Sequence, residues 1–210
     1  MRNEKDNQAR RGSNNNTMHA KEHQSLSEQV MLYLRDLVVL FSIVMVAFLL
    51  CFRVVVVSGS SMNDTLVNGD YLLLISSNLY PNSKYGDIIV ASKESFENGD
   101  PIVKRVIATE GQVVDIDFAT GVVYVDGVAL DEDYTATRTT ISEGVAFPLT
   151  VEENCLFVMG DNRNSSKDSR SPEIGLIDKR EVLGKAIFLV LPGAGVNNEN
   201  RDFSRIGALW

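Results

Sequence analysis

Leu37-Val38-Val39-Leu40-Phe41-Ser42-Ile43-Val44-Met45-Val46-Ala47-Phe48-Leu49-Leu50-Cys51-Phe52 is a run of sixteen uncharged residues, and Gly59-Ser60-Ser61-Met62 follows shortly after it. As a helix the run would be about 24 Å long, a little short of the ~20 residues that a bilayer span needs. Extended through Arg53 to Val57 it reaches twenty-one residues, with Arg53 snorkelling at one interface and Arg35 and Asp36 at the other. The two histidines, His19 and His23, both precede the run. If it crosses a bilayer, they lie on the opposite side from everything downstream. A serine nucleophile in the downstream part then needs a base other than imidazole, and Lys104 is the natural candidate.

A cleaved signal peptide competes with the retained span, since it too has a charged start and an apolar core. The segment before this core is too long for one, and no small-x-small site follows at once. Leu50-Cys51 also lacks the small residue that bacterial lipidation needs before the Cys. Six Lys/Arg precede Leu37, whereas Arg53 alone lies between the run and Lys84. That asymmetry keeps the N-terminus in the cytoplasm and sends the following domain out.

The chain has 210 residues and a formal charge of −8, room for one substantial domain. An acidic domain argues against nucleic acid as partner, because phosphate binding needs clustered Lys and Arg. Cys51 lies in the apolar run and Cys155 far downstream, so no intrachain disulfide is expected. With no downstream His and no Cys pair, zinc has almost no ligands to draw on, and neither a metal nor a cofactor is expected. Cys155 reads as a small core residue rather than a nucleophile.

Residues 1–29, with Asn14-Asn15-Asn16, read as a disordered cytoplasmic tail, 30–57 as the anchor with its flanks, 58–193 as the catalytic domain and 194–210 as a C-terminal tail. Beyond Phe52 helical periodicity gives way to short β-rich runs with turns between them. Strands are expected at Val54–Val57, Tyr71–Ile75, Asp87–Ala91, Ile102–Ala108, Val113–Asp117, Val122–Val125, Cys155–Met159 and Lys185–Val190. Asp126-Gly127, after Val122–Val125, carries the hairpin signal of two residues at positive φ. The fold class is all-β, a partly barrel-like domain preceded by one N-terminal transmembrane helix.

Three segments could carry chemistry. Gly59-Ser60-Ser61-Met62-Asn63-Asp64-Thr65-Leu66 follows a β run. Gly59 would let the backbone turn sharply and leave room for an extended substrate, while a serine N–H on such a turn helps form an oxyanion site. It is equally the composition of an ordinary Ser/Gly turn. In Ile102-Val103-Lys104-Arg105-Val106-Ile107 a lysine sits inside a β-branched run, either solvated on an alternating face or held neutral by burial. A base useful near neutrality must fall several units from ~10.4, which requires desolvation. Gly160-Asp161-Asn162-Arg163-Asn164-Ser165-Ser166-Lys167-Asp168-Ser169-Arg170 is too polar for a strand. It is either a surface loop tied by an Asp168–Arg170 pair or a support for the site, with a serine hydroxyl orienting the lysine.

Together and in this order the three segments resemble the type I signal peptidases, in their short bacterial form with one N-terminal anchor. The resemblance runs from about Arg35 to Gly193 and includes Tyr85-Gly86-Asp87-Ile88-Ile89-Val90, Gly111-Gln112-Val113-Val114 and Gly184-Lys185-Ala186. In the family the nucleophile immediately precedes Met, with Thr-Leu three residues after that Met. Ser61-Met62 and Thr65-Leu66 match, so the resemblance makes Ser61 the nucleophile and its N–H the main oxyanion donor. It makes Lys104 the general base, Ser166 the hydroxyl that bonds the lysine, and Asp168 and Arg170 a supporting ion pair. Gly160–Asn162 fits a turn packing that loop under the site. Asp64 stands where the family usually has proline, and Gly59 where some members have serine. The implied activity is removal of signal peptides from exported preproteins at the outer membrane face. Shallow pockets near Val57, Gly59, Met62, Leu66 and Val103 would admit small residues at −1 and −3 of an added, extended strand. Two alternatives stand beside this: another Ser-Lys peptidase like the self-cleaving SOS repressors, and a catalytically silent, membrane-tethered β-domain.

Overall fold

Four consecutive valines, Val54–Val57, set the point where helix yields to sheet, because β-branched side chains are stiff at χ1 and suit a pleated surface. In the computed structural model, which describes residues 26–94, 96, 99–195 and 200–209, helix α1 spans Leu26–Cys51 and strand β1 spans Phe52–Val56. The helix therefore does not run forward through Arg53 to Val57. It gains its length at the other end, absorbing residues 26–29 of the expected tail, and its 26 residues give about 39 Å. That is long and apolar enough to cross a membrane. His19 and His23, with the rest of 1–25, lie outside the described residues.

The chain forms two compact units that part between Val46 and Ala47, and the second is built of antiparallel sheet. Its strands after β1 are β2 (Tyr71–Ser76), β3 (Ile88–Ser92), β4 (Pro101–Thr109), β5 (Val113–Asp117), β6 (Val122–Val125), β7 (Val128–Ala129), β8 (Leu149–Thr150), β9 (Cys155–Met159), β10 (Ile177–Asp178), β11 (Val182–Leu191) and β12 (Gly207–Ala208). The larger sheet runs β1-β2-β11-β3-β4-β9-β10, with β12 also on β11, and the smaller runs β7-β6-β5-β8. Neither order closes on itself, so the domain is mostly β without a closed barrel. Each expected strand is present, Val113–Asp117, Val122–Val125 and Cys155–Met159 with the expected bounds and the others with shifted ends. The two-residue strands β7, β8, β10 and β12 have no periodicity to announce them. The Asp126-Gly127 hairpin forms as expected, with φ of 52° and 77°.

Strands β3 and β4 read as near-continuous apolar runs because both their faces are covered. Ile88, Val90 and Val103 join one core cluster with Val57, Met62, Leu66, Leu72 and Leu74. Ile89, Ala91, Ile102 and Val106 join another on the opposite face with Leu156 and Val158. A third cluster, around Val114, Val123, Phe157 and Met159, fills the space beneath the small sheet. Half-buried Cys155 packs against it, and burial pushes its thiol up from the ordinary value, which suits a core residue.

Residues 200–209 pack on the domain. Gly207–Ala208 pair with Leu189 and Phe188 of β11, and Leu209 packs against the first core cluster. Arg205 donates from both terminal nitrogens to the fully buried Asp70 carboxylate, at 3.0 and 2.7 Å, and from Nη2 to the Thr65 carbonyl. The strand pairs lie far apart along the chain, so local pattern could not reveal them. Replacing Arg205 with Ala leaves Asp70 with backbone donors alone, Val67 N and Gly193 N. Arg205→Ala should destabilise the protein by about 2 kcal/mol, measured by denaturant unfolding in detergent.

Candidate active site

Alternation along β4 places Lys104 on the same face as Ile102 and Val106, opposite Ile89 of β3. Its side chain is only 5 % exposed. The second arm of the site is the turn that follows β1, where Gly59 adopts φ +87° and Val57 exchanges backbone hydrogen bonds with Asp70 and Gly69. These two arms meet at one contact: Lys104 Nζ donates to Ser61 Oγ at 2.8 Å. Of the adjacent serines, Ser61 is therefore the one brought to the lysine.

The polar segment 160–170 is an interior structure. Asp168 and Arg170 form a two-pronged pair, Nε to Oδ1 and Nη2 to Oδ2, each 2.8 Å, and both are fully buried. Ser166 Oγ donates to Asp168 Oδ2 at 2.9 Å, and the same oxygen accepts from Gly160 N. Asn162 joins this segment to the nucleophile turn, donating its N–H to the Ser61 carbonyl at 3.0 Å and its side-chain NH2 to the Ser60 carbonyl. Gly160 marks the closest approach: a Cβ there would collide with Ser166 Oγ and with the Ser61 carbonyl oxygen. The expected turn at Gly160–Asn162 is thus the place where the loop touches the Ser61 backbone.

A second buried pair lies on the neighbouring residue of β4. Arg105 donates to Asp161 through Nε (2.8 Å) and Nη2 (2.6 Å), and Asp161 also accepts from Thr65 Oγ1. Arg163 donates to both Glu132 oxygens at 2.6 Å. Tyr134 lies beneath both guanidiniums, 4.1 Å from Arg105 and 5.7 Å from Arg163, and burial, then the Glu132 charge, hold its hydroxyl protonated. Buried ion pairs of this kind stabilise little beyond an apolar substitute, but losing one partner strands a charge at a cost of about 3–5 kcal/mol. They fix one geometry.

Ser61 and Lys104 open onto a cleft of about 290 Å³ lined by Gly59, Ile102, Val103, Ser165 and Lys167 among others. Of the residues expected to form substrate pockets, Gly59 and Val103 line it. Val57, Met62 and Leu66 are buried in the core beneath, because their spacing follows the packing of the turn rather than the cleft wall. Among the described residues, no group of three His, Cys, Asp or Glu is placed to hold a metal ion.

A family model described as "Signal peptidase, peptidase S26" matches residues 30–191. The chain belongs to this family. As a member of peptidase S26 it is a signal peptidase, an enzyme that removes signal peptides. It is 35 % identical over 162 residues to signal peptidase I of Bacillus licheniformis, covering 73 % of this chain and 83 % of that one. Probable signal peptidase I-1 of Synechocystis is 34 % identical over 149 residues, 66 % of this chain and 70 % of its own. A crystal structure of a signal peptidase I from Enterococcus faecalis aligns with a TM-score of 0.42 and 32 % identity, over 50 % of this chain and 96 % of that chain.

Sequence reasoning on this signal peptidase assigns no role to Arg105, Arg163, Glu132 and Tyr134, and marks Asp161 and Asn162 only as part of the turn at Gly160–Asn162. The available signal was the charge packed into a short segment beside a strand that itself held Lys104 and Arg105. Gly160→Ala should cost about 10²-fold in kcat/KM, the order expected when reacting groups are displaced by about 1 Å, with folding retained by circular dichroism.

Proposed function

We propose that the signal peptidase works through a Ser61–Lys104 dyad, with the chain anchored in the membrane by α1. The reading is carried by one observation, the 2.8 Å contact between Lys104 Nζ and Ser61 Oγ at a side chain shielded from water. Neutral Lys104 accepts the Ser61 hydroxyl proton as Oγ attacks the scissile carbonyl. The tetrahedral oxyanion is held by the Ser61 N–H, which makes no other hydrogen bond among the described residues. The Lys104 ammonium then gives its proton to the leaving amine, and the regenerated Lys104 amine takes a proton from a water as that water attacks the acyl carbon, then returns it to Ser61 Oγ as the acyl-enzyme breaks down. Ser166, Asp168 and Arg170 position the base and the turn.

The substrate is the signal peptide of a preprotein, bound as an added strand. Pro101–Lys104 pair with β3 on one side, while β9 pairs only with Arg105–Thr109 on the other. The free edge beside Ser61 gives an extended peptide main-chain partners. The narrow cleft at Gly59 and Val103 favours small residues at −1 and −3. The excess of Lys and Arg before Leu37 directs the N-terminus to the cytoplasm and the catalytic domain outward. Tethering raises the effective concentration of a cleavage site held in the same bilayer.

The test uses the purified full chain in detergent with a peptide carrying an Ala-x-Ala site. Ser61→Ala and Lys104→Ala should each lower kcat by about 10³-fold or more. Lys104→Arg should be equally inactive, since a guanidinium stays charged at ordinary pH. Substantial cleavage by Lys104→Arg at neutral pH would rule out the lysine as base, and equal cleavage by Ser61→Ala would point to another nucleophile. Ser166→Ala should lose activity less completely than Ser61→Ala.

A further inference from the structure

The segment between β7 and β8 brings one acidic residue to the charged loop that the mechanism above does not use. Glu143 Oε1 lies 3.3 Å from Arg170 Nη2, with the glutamate side chain 16 % exposed. Its other oxygen, Oε2, is buried with no hydrogen-bond partner among the described residues, an arrangement that native interiors rarely keep without a reason. The neighbouring chain is fixed in place: Val145 N donates to the Arg170 carbonyl, and Arg170 Nη1 donates to the Ile141 carbonyl. Arg170 thus stands between two carboxylates, Asp168 at 2.8 Å and Glu143 at 3.3 Å. One guanidinium cannot neutralise both.

We infer that Glu143 is a positioning residue that sets, through its charge, the pH below which the Lys104 amine is lost to protonation. This rests on the Ser61–Lys104 reading. The charged groups that face Glu143 are Asp168 and Arg170 from the loop and Lys104 from β4. Burial, then the Asp168 carboxylate, push the Glu143 carboxyl up from its ordinary value, while Arg170, an Asp168 backbone hydrogen bond and Lys104 pull it down.

The sign follows from charge alone. An ionised Glu143 supplies the surplus negative charge of the Asp168–Arg170–Glu143 group, and that charge favours the ammonium form of Lys104. Removing it makes the ammonium less favourable, so the amine survives to lower pH. The acidic limb of the pH–rate profile then moves toward acid. A carboxylate kept against Arg170 costs activity in acid. In return it holds Arg170, and with it Asp168 and Ser166, in register.

The experiment measures kcat/KM against pH for the full chain in detergent, comparing the parent with Glu143→Gln, Glu143→Ser and Glu143→Asp. The two neutral variants should shift the acidic limb by at least about half a pH unit toward acid, a modest effect for a nearby charge. Glu143→Asp keeps the charge and should keep the parental limb. A neutral variant that folds and keeps the parental limb, or moves it toward base, overturns the inference even if overall activity falls. Failure of both neutral variants to fold makes Glu143 a purely structural residue and overturns it as well. Ser61→Ala and Lys104→Ala are assayed alongside. Activity in either removes the dyad reading, whereas their inactivity with an unmoved limb removes only the role of Glu143.

Discussion

The rest of this structure depends on one lysine amine kept out of water beside a serine hydroxyl. Lys104 sits on a strand whose two faces are both covered. Burying such a group is costly unless its surroundings are fixed to within fractions of an ångström. The two Arg–Asp pairs behind it supply that fixity. Asp168–Arg170 holds Ser166 and Gly160, Arg105–Asp161 holds Thr65, and Asn162 ties the loop to the Ser61 carbonyl.

The topology explains why these parts can be so distant in sequence. β4 lies between β3 and β9 from Arg105 onward, so Arg105 is central in the larger sheet while Lys104 stands where the pairing with β9 stops. The nucleophile turn approaches from the β1–β2 connection, and the 160–170 loop leaves the end of β9. The Ser61 turn shares one apolar cluster with β4, and β4 shares the other two with β9. The segment around Phe203–Ala208 adds a third support, through Arg205 to Asp70 and to the Thr65 carbonyl. The catalytic geometry is therefore set by several independent anchors converging on one small volume.

Much of this was legible beforehand, and the reasons are specific. The apolar run before Arg53 and the β-branched runs after it have strong periods, so the helix and the longer strands could be placed from their own residues. Ser61, Lys104, Ser166, Asp168 and Arg170 were named from motif order, and the structure brings all five into one neighbourhood. Three kinds of reading went astray. The end of the helix was set too late, because Val54–Val57 counts as apolar for a span but pairs as a strand. The 194–210 segment was taken as a tail, because two-residue strands carry no pattern. Val57, Met62 and Leu66 were assigned to pockets because they flank the nucleophile in sequence, yet a turn directs such neighbours inward.

Local chemistry was enough to determine the anchor-like helix, the β class and which serine and lysine meet. Those features depend on residue type, short-range spacing and motif order, all of which a linear chain displays. Only the tertiary structure decided that the most charged segment is interior, that Gly160 must lack a side chain, and that Glu132, Glu143 and Arg205 reach the site from elsewhere. Long-range pairing decides whether a charge is solvated or buried, and the partners of these charges lie tens of residues away.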